Sequence, residues 1–269
     1  MIRLIAIDLD GTLFNSQQEI STKSKNAVVR VIDSGIQIAI VTGRGKSGVE
    51  MAIEMLGLDM PYICSAGSLV CSGRKGYVIS ARTFLIHDEL IKIIEFAQKN
   101  DAGLIADSLD ESMWFGPDTL SDNLDPMTAA YTWKSRRTQH PEVDFHQPLL
   151  KITLVADPKI LNLAENHLCS KCPSLHHIYA GMRYMDLTSK DVNKGTALEI
   201  LAKHLDIRPD EIAAIGDQPI DLPMLTFVGL PVAMENSPDM VKNSAKWIAP
   251  SNDEDGVAWA LENILSDMT

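Results

Sequence analysis

Three times along this 269-residue chain a short apolar run without polar alternation ends on a turn rich in oxygen atoms and glycine. Leu4, Ile5, Ala6 and Ile7 lead into Asp8-Leu9-Asp10-Gly11-Thr12, the run over 36–41 leads into Thr42-Gly43-Arg44, and that over 211–215 leads into Gly216-Asp217-Gln218-Pro219-Ile220-Asp221. Unalternating apolar runs of this length are the mark of strands buried on both faces of a parallel sheet. In such sheets the carboxyl ends of the strands form the crevice where ligands bind. The pattern therefore restricts the chain to an α/β fold and says where its chemistry sits.

The segments between the runs fit. Ser21 is a natural N-cap, Ala27, Val28, Val31 and Ile32 recur at helical spacing, and Gly35 ends that helix. A helix is predicted over 46–56, and Lys194-Gly195 opens another over 196–204 with Ala197, Leu198, Ile200 and Leu201 inward. The segment 13–20 reads as a hairpin or flap, and strands are expected at 62–65, 69–70 and 77–79 around the turn Ala66-Gly67-Ser68. A helix over 222–227, strands over 230–234 and 247–249, and a helix over 256–265 close the chain. From about Phe84 to Thr188 the rhythm changes. Helices are expected over 87–98, near 127–134 and over 158–169, with strands at 103–106, 113–115, 149–155, 176–179 and 184–187, and no strand there ends on a carboxylate motif. The expected architecture is a doubly wound parallel-sheet (Rossmann-like) core from 1–83 and 189–269, with an inserted α+β domain over 84–188.

A net charge of -12 and a pI near 5.0 argue against nucleic acid as a partner, because no basic excess exists to displace counterions. A small anion held at a local positive site is compatible with them. No apolar run reaches bilayer length, and the first residues carry too short an apolar core for a signal peptide, so a cytoplasmic monomer or homodimer is expected. Of the four cysteines, Cys169 and Cys172 form one C-x-x-C, with no second pair at zinc-site spacing. All four are counted as ordinary reduced thiols.

Paired aspartates at a strand end, followed by a glycine that lets the chain turn, make an oxygen-rich pocket suited to a hard cation. Taken singly, Asp8-x-Asp10-Gly11 is equally an Asp-rich turn, Thr42 a helix cap and Lys194 a solvated helix-start lysine. Their combination is far more specific. Asp8, Asp10 and Asp217 supply oxygen ligands for Mg2+, while Lys194 and Thr42 offer a charge and a hydroxyl to phosphoryl oxygens. Two acids alone would also suit glycoside hydrolysis, which needs neither metal nor phosphate clamp and is set aside.

The chain resembles the haloacid dehalogenase superfamily, in its Cof-type sugar-phosphatase branch with a large inserted cap. Asp8–Thr12 (DLDGT), Thr42–Arg44 (TGR), Asn193–Gly195 (NKG) and Gly216–Asp221 (GD-x3-D) match its four motifs in order over nearly the whole chain. The resemblance implies an aspartyl phosphate formed on Asp8 and an acid–base role for Asp10. It places Mg2+ on Asp8, the Asp10 backbone carbonyl and Asp217, with Asp221 in support, and charge stabilisation on Lys194 and Thr42. Gly11, Gly43, Arg44 and Asn236 are then the candidates for substrate contact. The implied substrate is a small phosphorylated metabolite, sugar phosphates first. Ile220 and Ala66 stand where the family pattern commonly has Asn, which keeps two alternatives open, a phosphosugar mutase or phosphotransferase and a non-catalytic phospholigand-binding protein. In the cap, Arg183 and Tyr184 are read as a strand edge first and as candidate specificity residues second, while Trp114 and Trp133 are read as cap core or surface.

Overall fold

The computed structural model describes residues 1–84, 87–117 and 135–267. The helix expected near 127–134, with Trp133, lies outside the described residues. The described chain divides into two compact units, one of 1–42, 49–80 and 193–269, the other of 43–48 and 81–192.

The first unit is built on an eight-stranded sheet. In chain order its strands are β1 (Leu4–Ile7), β2 (Gln37–Val41), β3 (Tyr62–Cys64), β4 (Leu69–Cys71), β5 (Val78–Ala81), β12 (Ile212–Gly216), β13 (Leu230–Met234) and β14 (Trp247–Ala249). Their spatial order is β14-β13-β12-β1-β2-β3-β4-β5. The six strands from β14 to β3 run parallel, and β4 turns back antiparallel on β3. β1 lies at the centre, with Ile7 beside Ile40 of β2 on one side and Ile215 of β12 on the other.

Both faces of β1 are buried, as its unalternating sequence requires. Leu4 and Ala6 pack with Leu198 and Leu201 of helix Lys194–Leu205 and with Met224 and Leu225 of helix Leu222–Phe227. Ile5 and Ile7, which the pleat turns to the opposite face, are equally inaccessible to solvent. Helix Thr22–Asp33 starts as predicted, with the Ser21 hydroxyl oxygen accepting the Ser24 N–H, and buries Ala27, Val28 and Val31. Of the hairpin or flap expected over 13–20, no hairpin strands form. The Asn15 carboxamide oxygen accepts the N–H groups of Gln17 and Glu19, so the segment closes on itself as a turn instead of seeking a partner strand.

The second unit carries a six-stranded sheet. Its strands are β6 (Gly103–Ser108), β7 (Ser112–Phe115), β8 (Arg136–Arg137), β9 (Leu149–Val155), β10 (Leu175–Gly181) and β11 (Tyr184–Ser189), in the order β10-β11-β9-β6-β7-β8. Its pairings are antiparallel apart from β7 with β8. One face buries Leu104, Ile152, Leu154, Met185 and Leu187 together with residues of helices His87–Lys99 and Pro158–Lys171. The residues alternating with these, Asp107, Lys151, Thr153 and Asp186 among them, turn a polar row to the other face.

Candidate active site

Two strand ends and one helix start of the first unit converge on one buried cluster. At the end of β1, the Asp8 N–H donates to the Ile215 carbonyl at 3.0 Å, and its own carbonyl accepts the Leu13 N–H at 3.2 Å. That turn seals Asp8 to 4% exposure. At the adjacent strand end, Asp217 follows β12, and the chain then coils through a single turn, Pro219–Asp221. Asp221 Oδ2 accepts the N–H groups of Asp217 and Gln218, each at 3.0 Å, which fixes the turn without the side chain of Ile220. Gly216 fits here because a Cβ would lie 2.8 Å from Asp221 Cβ.

Lys194 joins the two acids. Asn193 caps its helix, its side chain accepting the Thr196 N–H at 2.9 Å, and this turns the first helical side chain inward. The Lys194 ammonium donates to Asp8 Oδ1 at 2.6 Å and to Asp221 Oδ1, and the residue is 1% exposed. It is thus an internal ion-pair member, which excludes the solvated helix-start reading.

The Asp217 carboxylate is held by three side chains. Thr12 donates its hydroxyl to Oδ1 at 2.9 Å, Gln218 its amide to Oδ2 at 2.9 Å, and Asn236 its amide to Oδ2 at 3.4 Å and to the Gly11 carbonyl at 2.8 Å. Gly11 itself adopts a φ of +79°, and a Cβ there would fall 2.3 Å from Asp217 Oδ2. Asn236 Oδ1 in turn accepts the Asn252 N–H. Both ends of the Asn236 amide are therefore engaged within the protein, and it braces Asp217. Sequence reasoning missed Thr12, Gln218 and Asn252. Thr12 and Gln218 lie inside recognised motifs and could have been read as second partners, whereas nothing local marks Asn252.

The electrostatics show a centre short of positive charge. Burial pushes the Asp8 carboxyl well above the usual carboxylate range, with Lys194 pulling the other way and Asp221, Asp217 and Asp10 adding to the rise. Burial likewise pushes Asp217 up to about 6, helped by Asp221 and opposed by the hydrogen bonds from Gln218 and Thr12. For Lys194 burial acts downward, but the carboxylates of Asp221 and Asp8 outweigh it and hold the ammonium above its ordinary value. Three buried carboxylates face a single ammonium, an arrangement that costs free energy unless more positive charge arrives. Asp8, Asp217 and Asp221 each present an oxygen atom within 4.8 Å of the others, and they form the one group of three or more potential ligand side chains found among the described residues. The all-oxygen donor set and the uncompensated charge fit a hard divalent cation. The Asp10 side chain is outside this group and half-buried, and Cys169 and Cys172 take no part in it. The Cys172 thiol is pushed up to about 11 by burial, which keeps it protonated.

Of the other predicted residues, Thr42 is fully buried just past β2, its N–H donating to the Ile63 carbonyl. Its carbonyl accepts the N–H of Ala66 at 3.3 Å, in a turn where Ser65, Ala66 and Gly67 all have positive φ. Gly67 comes so close to the helix cap that a Cβ would lie 2.5 Å from the Asn193 carbonyl oxygen. This turn therefore touches both Thr42 and the residue before Lys194. Gly43 and Arg44 belong to the second unit, where Arg44 is buried. Also in that unit, Arg183 pairs with Asp157 at 3.0 Å, Tyr184 is buried, and Arg137 lies over the half-buried Trp114 ring.

With a doubly wound sheet and an acid–lysine centre at its strand ends in place, comparison with known proteins identifies the class. The family model of the haloacid dehalogenase-like hydrolases matches residues 5–261, and the chain belongs to that family. It is similar to the 5-amino-6-(5-phospho-D-ribitylamino)uracil phosphatase YwtE of Bacillus subtilis, at 31% identity over 98% of this chain and 99% of that one. A crystal structure of a haloacid dehalogenase-like hydrolase from Bacteroides thetaiotaomicron superimposes with a TM-score of 0.86 at 27% identity, covering 98% of this chain and 100% of the other. The subclass IIB sugar phosphatase BT4131 shares the fold at a TM-score of 0.82 and 20% identity, covering 97% and 98%. The family match and these relatives make the chain a Cof-type phosphoric monoester hydrolase. No helix among the described residues is long and apolar enough to cross a membrane.

Proposed function

We propose that the protein is a Mg2+-dependent phosphatase of small phosphomonoesters, sugar and sugar-alcohol phosphates first, working through an aspartyl phosphate on Asp8. The observation that carries this reading is the Asp8 carboxylate, buried at the central strand end with Lys194 on one oxygen and two further carboxylates at hand. Asp8, Asp217 and Asp221, with the Asp10 carbonyl, are the residues that would hold Mg2+, which when bound neutralises their charge and that of the phosphoryl group.

The chain's own groups do the rest. An Asp8 oxygen attacks phosphorus as the P–O bond to the leaving group breaks, and the departing electron pair takes a proton from Asp10. Water then attacks the phosphoryl group, Asp10 accepts its proton, and the Asp8–phosphorus bond breaks to return the carboxylate. Lys194 pulls the Asp8 carboxyl toward its ionised form and, with Thr42, offsets charge on the transferring oxygens. Asn236 and Thr12 orient Asp217, and the inserted segment, 84–188, selects the leaving group.

The ribityl phosphate named for the relative from B. subtilis is a phosphorylated polyol, and it heads the substrate panel together with hexose phosphates. Phosphate release is measured over that panel, nucleotides and pyridoxal phosphate, with and without Mg2+. Metal-dependent release from a polyol or sugar phosphate is expected, and Asp8→Asn lowers it by at least about 10^3-fold. Release that survives in Asp8→Asn contradicts the mechanism.

A further inference from the structure

The last part of the first unit folds back on the turn that follows Asp8. Between β14 and the helix Gly256–Ser266, the single turn Asn252–Glu254 bonds to residues 14–16 of the same unit. Asp253 accepts the Ser16 N–H on Oδ1 at 2.8 Å and the Ser16 hydroxyl on Oδ2 at 2.6 Å, an exposed contact that ties one surface segment to another. Asn252 reaches further in. Its side-chain amide donates to the Phe14 carbonyl at 2.9 Å, and its backbone N–H donates to Asn236 Oδ1 at 3.2 Å. One residue is thereby joined both to the turn after Asp8 and to the side chain that donates to Gly11 and Asp217.

The two ends of the Asn236 carboxamide have different tasks. Its Nδ2 donates to the Gly11 carbonyl and to Asp217 Oδ2, both part of the acidic centre. The residue itself is exposed, in the turn after β13, and its bond to Asp217 is long at 3.4 Å. Holding such a side chain in one rotamer costs entropy that a long hydrogen bond offsets poorly. The Asn252 N–H supplies a hold from outside the centre. As a donor facing Oδ1, it favours the one flip of the amide that turns Nδ2 toward Gly11 and Asp217. That N–H stands where it does because the Asn252 side chain is anchored on Phe14, whose own N–H donates to the Leu9 carbonyl at 2.8 Å, within the turn that carries Asp8 and Asp10. We infer that Asn252 is a positioning residue of the cation centre. Through Asn236 it holds Asp217 where its carboxylate stands beside those of Asp8 and Asp221, and it touches neither cation nor substrate. The inference rests on the reading of those three acids as a Mg2+ site. Thr12 and Gln218 also donate to Asp217, so the loss of Asn252 weakens the centre without abolishing it.

Asn252→Ala and Asn252→Leu both remove the donor to Phe14 and keep the backbone N–H, and the leucine also keeps the volume. Asp253→Ala removes the neighbouring tie to Ser16 and leaves Asn252 in place. For each, three quantities are measured: the melting temperature without metal, the Mg2+ affinity by calorimetry without substrate, and phosphate release as a function of Mg2+ concentration. Both Asn252 variants should bind Mg2+ roughly fivefold more weakly, somewhat less than the roughly tenfold or more that follows loss of a ligand's direct partner. Their phosphate release should recover once Mg2+ is saturating. Asp253→Ala should lower the melting temperature comparably yet change Mg2+ affinity by less than about twofold, as a surface substitution does. Unchanged Mg2+ affinity in the folded Asn252 variants overturns the inference. So does an equal loss in Asp253→Ala, or a loss in the alanine variant that the leucine variant lacks, since either makes the effect one of general packing. Activity that stays low at saturating Mg2+ overturns it as well, by making Asn252 a determinant of the chemical step. If the unaltered protein binds no Mg2+, the cation reading falls and takes the inference with it, whereas Mg2+ binding that the variants leave unchanged removes the inference alone.

Discussion

At the scale of single residues, the centre is governed by carboxylates that the fold buries faster than it neutralises. Asp217, pushed up to about 6 by burial, keeps its proton in the folded protein over a range where the unfolded chain has already lost it. Its raised value therefore makes stability fall as pH climbs from the ordinary carboxylate range through 6. A divalent cation competes with that proton and meets no such competition once Asp217 has ionised. The rise in melting temperature produced by a fixed Mg2+ concentration should accordingly grow between roughly pH 5 and 7 and then level off, as scanning fluorimetry in matched buffers can check. Gly11 is the complementary test by shape. Gly11→Ala places a methyl group 2.3 Å from Asp217 Oδ2 on a backbone with φ of +79°, so it must displace either the acid or the turn. The variant should lose most of its Mg2+-induced stabilisation and at least about tenfold in kcat/KM.

At the scale of elements, the starts of helices and the ends of strands do the positioning. Lys194 reaches Asp8 because Asn193 caps the helix over Lys194–Leu205. Asn193→Ala should cost about 1 kcal/mol of stability, read from urea unfolding, and should lower kcat more than the stability loss alone accounts for, because the lysine loses its fixed origin. Most of the elements were legible from sequence. The runs over 4–7, 36–41 and 211–215 are strands because β-branched and apolar residues with no polar alternation can lie only inside a covered parallel sheet, and the predicted helix over 46–56 is the helix Lys46–Leu56. The misses have local causes. The segment 13–20 looks like a hairpin by its apolar ends, but Asn15 satisfies its backbone internally. Short pieces such as Arg136–Arg137, Pro141–Asp144 and Asp239–Lys242 carry too little periodicity to register.

At the scale of the whole molecule, the centre is legible as motifs and illegible as contacts. Asp8, Lys194, Asp217 and Asp221 are dispersed across the chain, and only their placement at strand ends and a helix start showed that they could meet. That Lys194 is buried, and that the Asn236 amide reaches an acid, depends on partners far away in the sequence, Asp8 for the first and Gly11 with Asp217 for the second. The segment 43–48 likewise reads as a strand-end motif but packs with the second unit, because Lys151 and Asp107 receive it there. In the proposed reaction Asp8 carries the phosphoryl group between two steps with Asp10 serving both. Asp10→Asn with p-nitrophenyl phosphate tests it most directly, since nitrophenolate leaves without needing a proton while the second step still needs a base. Stopped-flow absorbance should show a burst of one nitrophenolate per chain followed by slow turnover, and acid quenching should leave one phosphoryl group on the tryptic peptide 4–23. Nitrophenolate and inorganic phosphate rising together from the start, with that peptide unmodified, would contradict it.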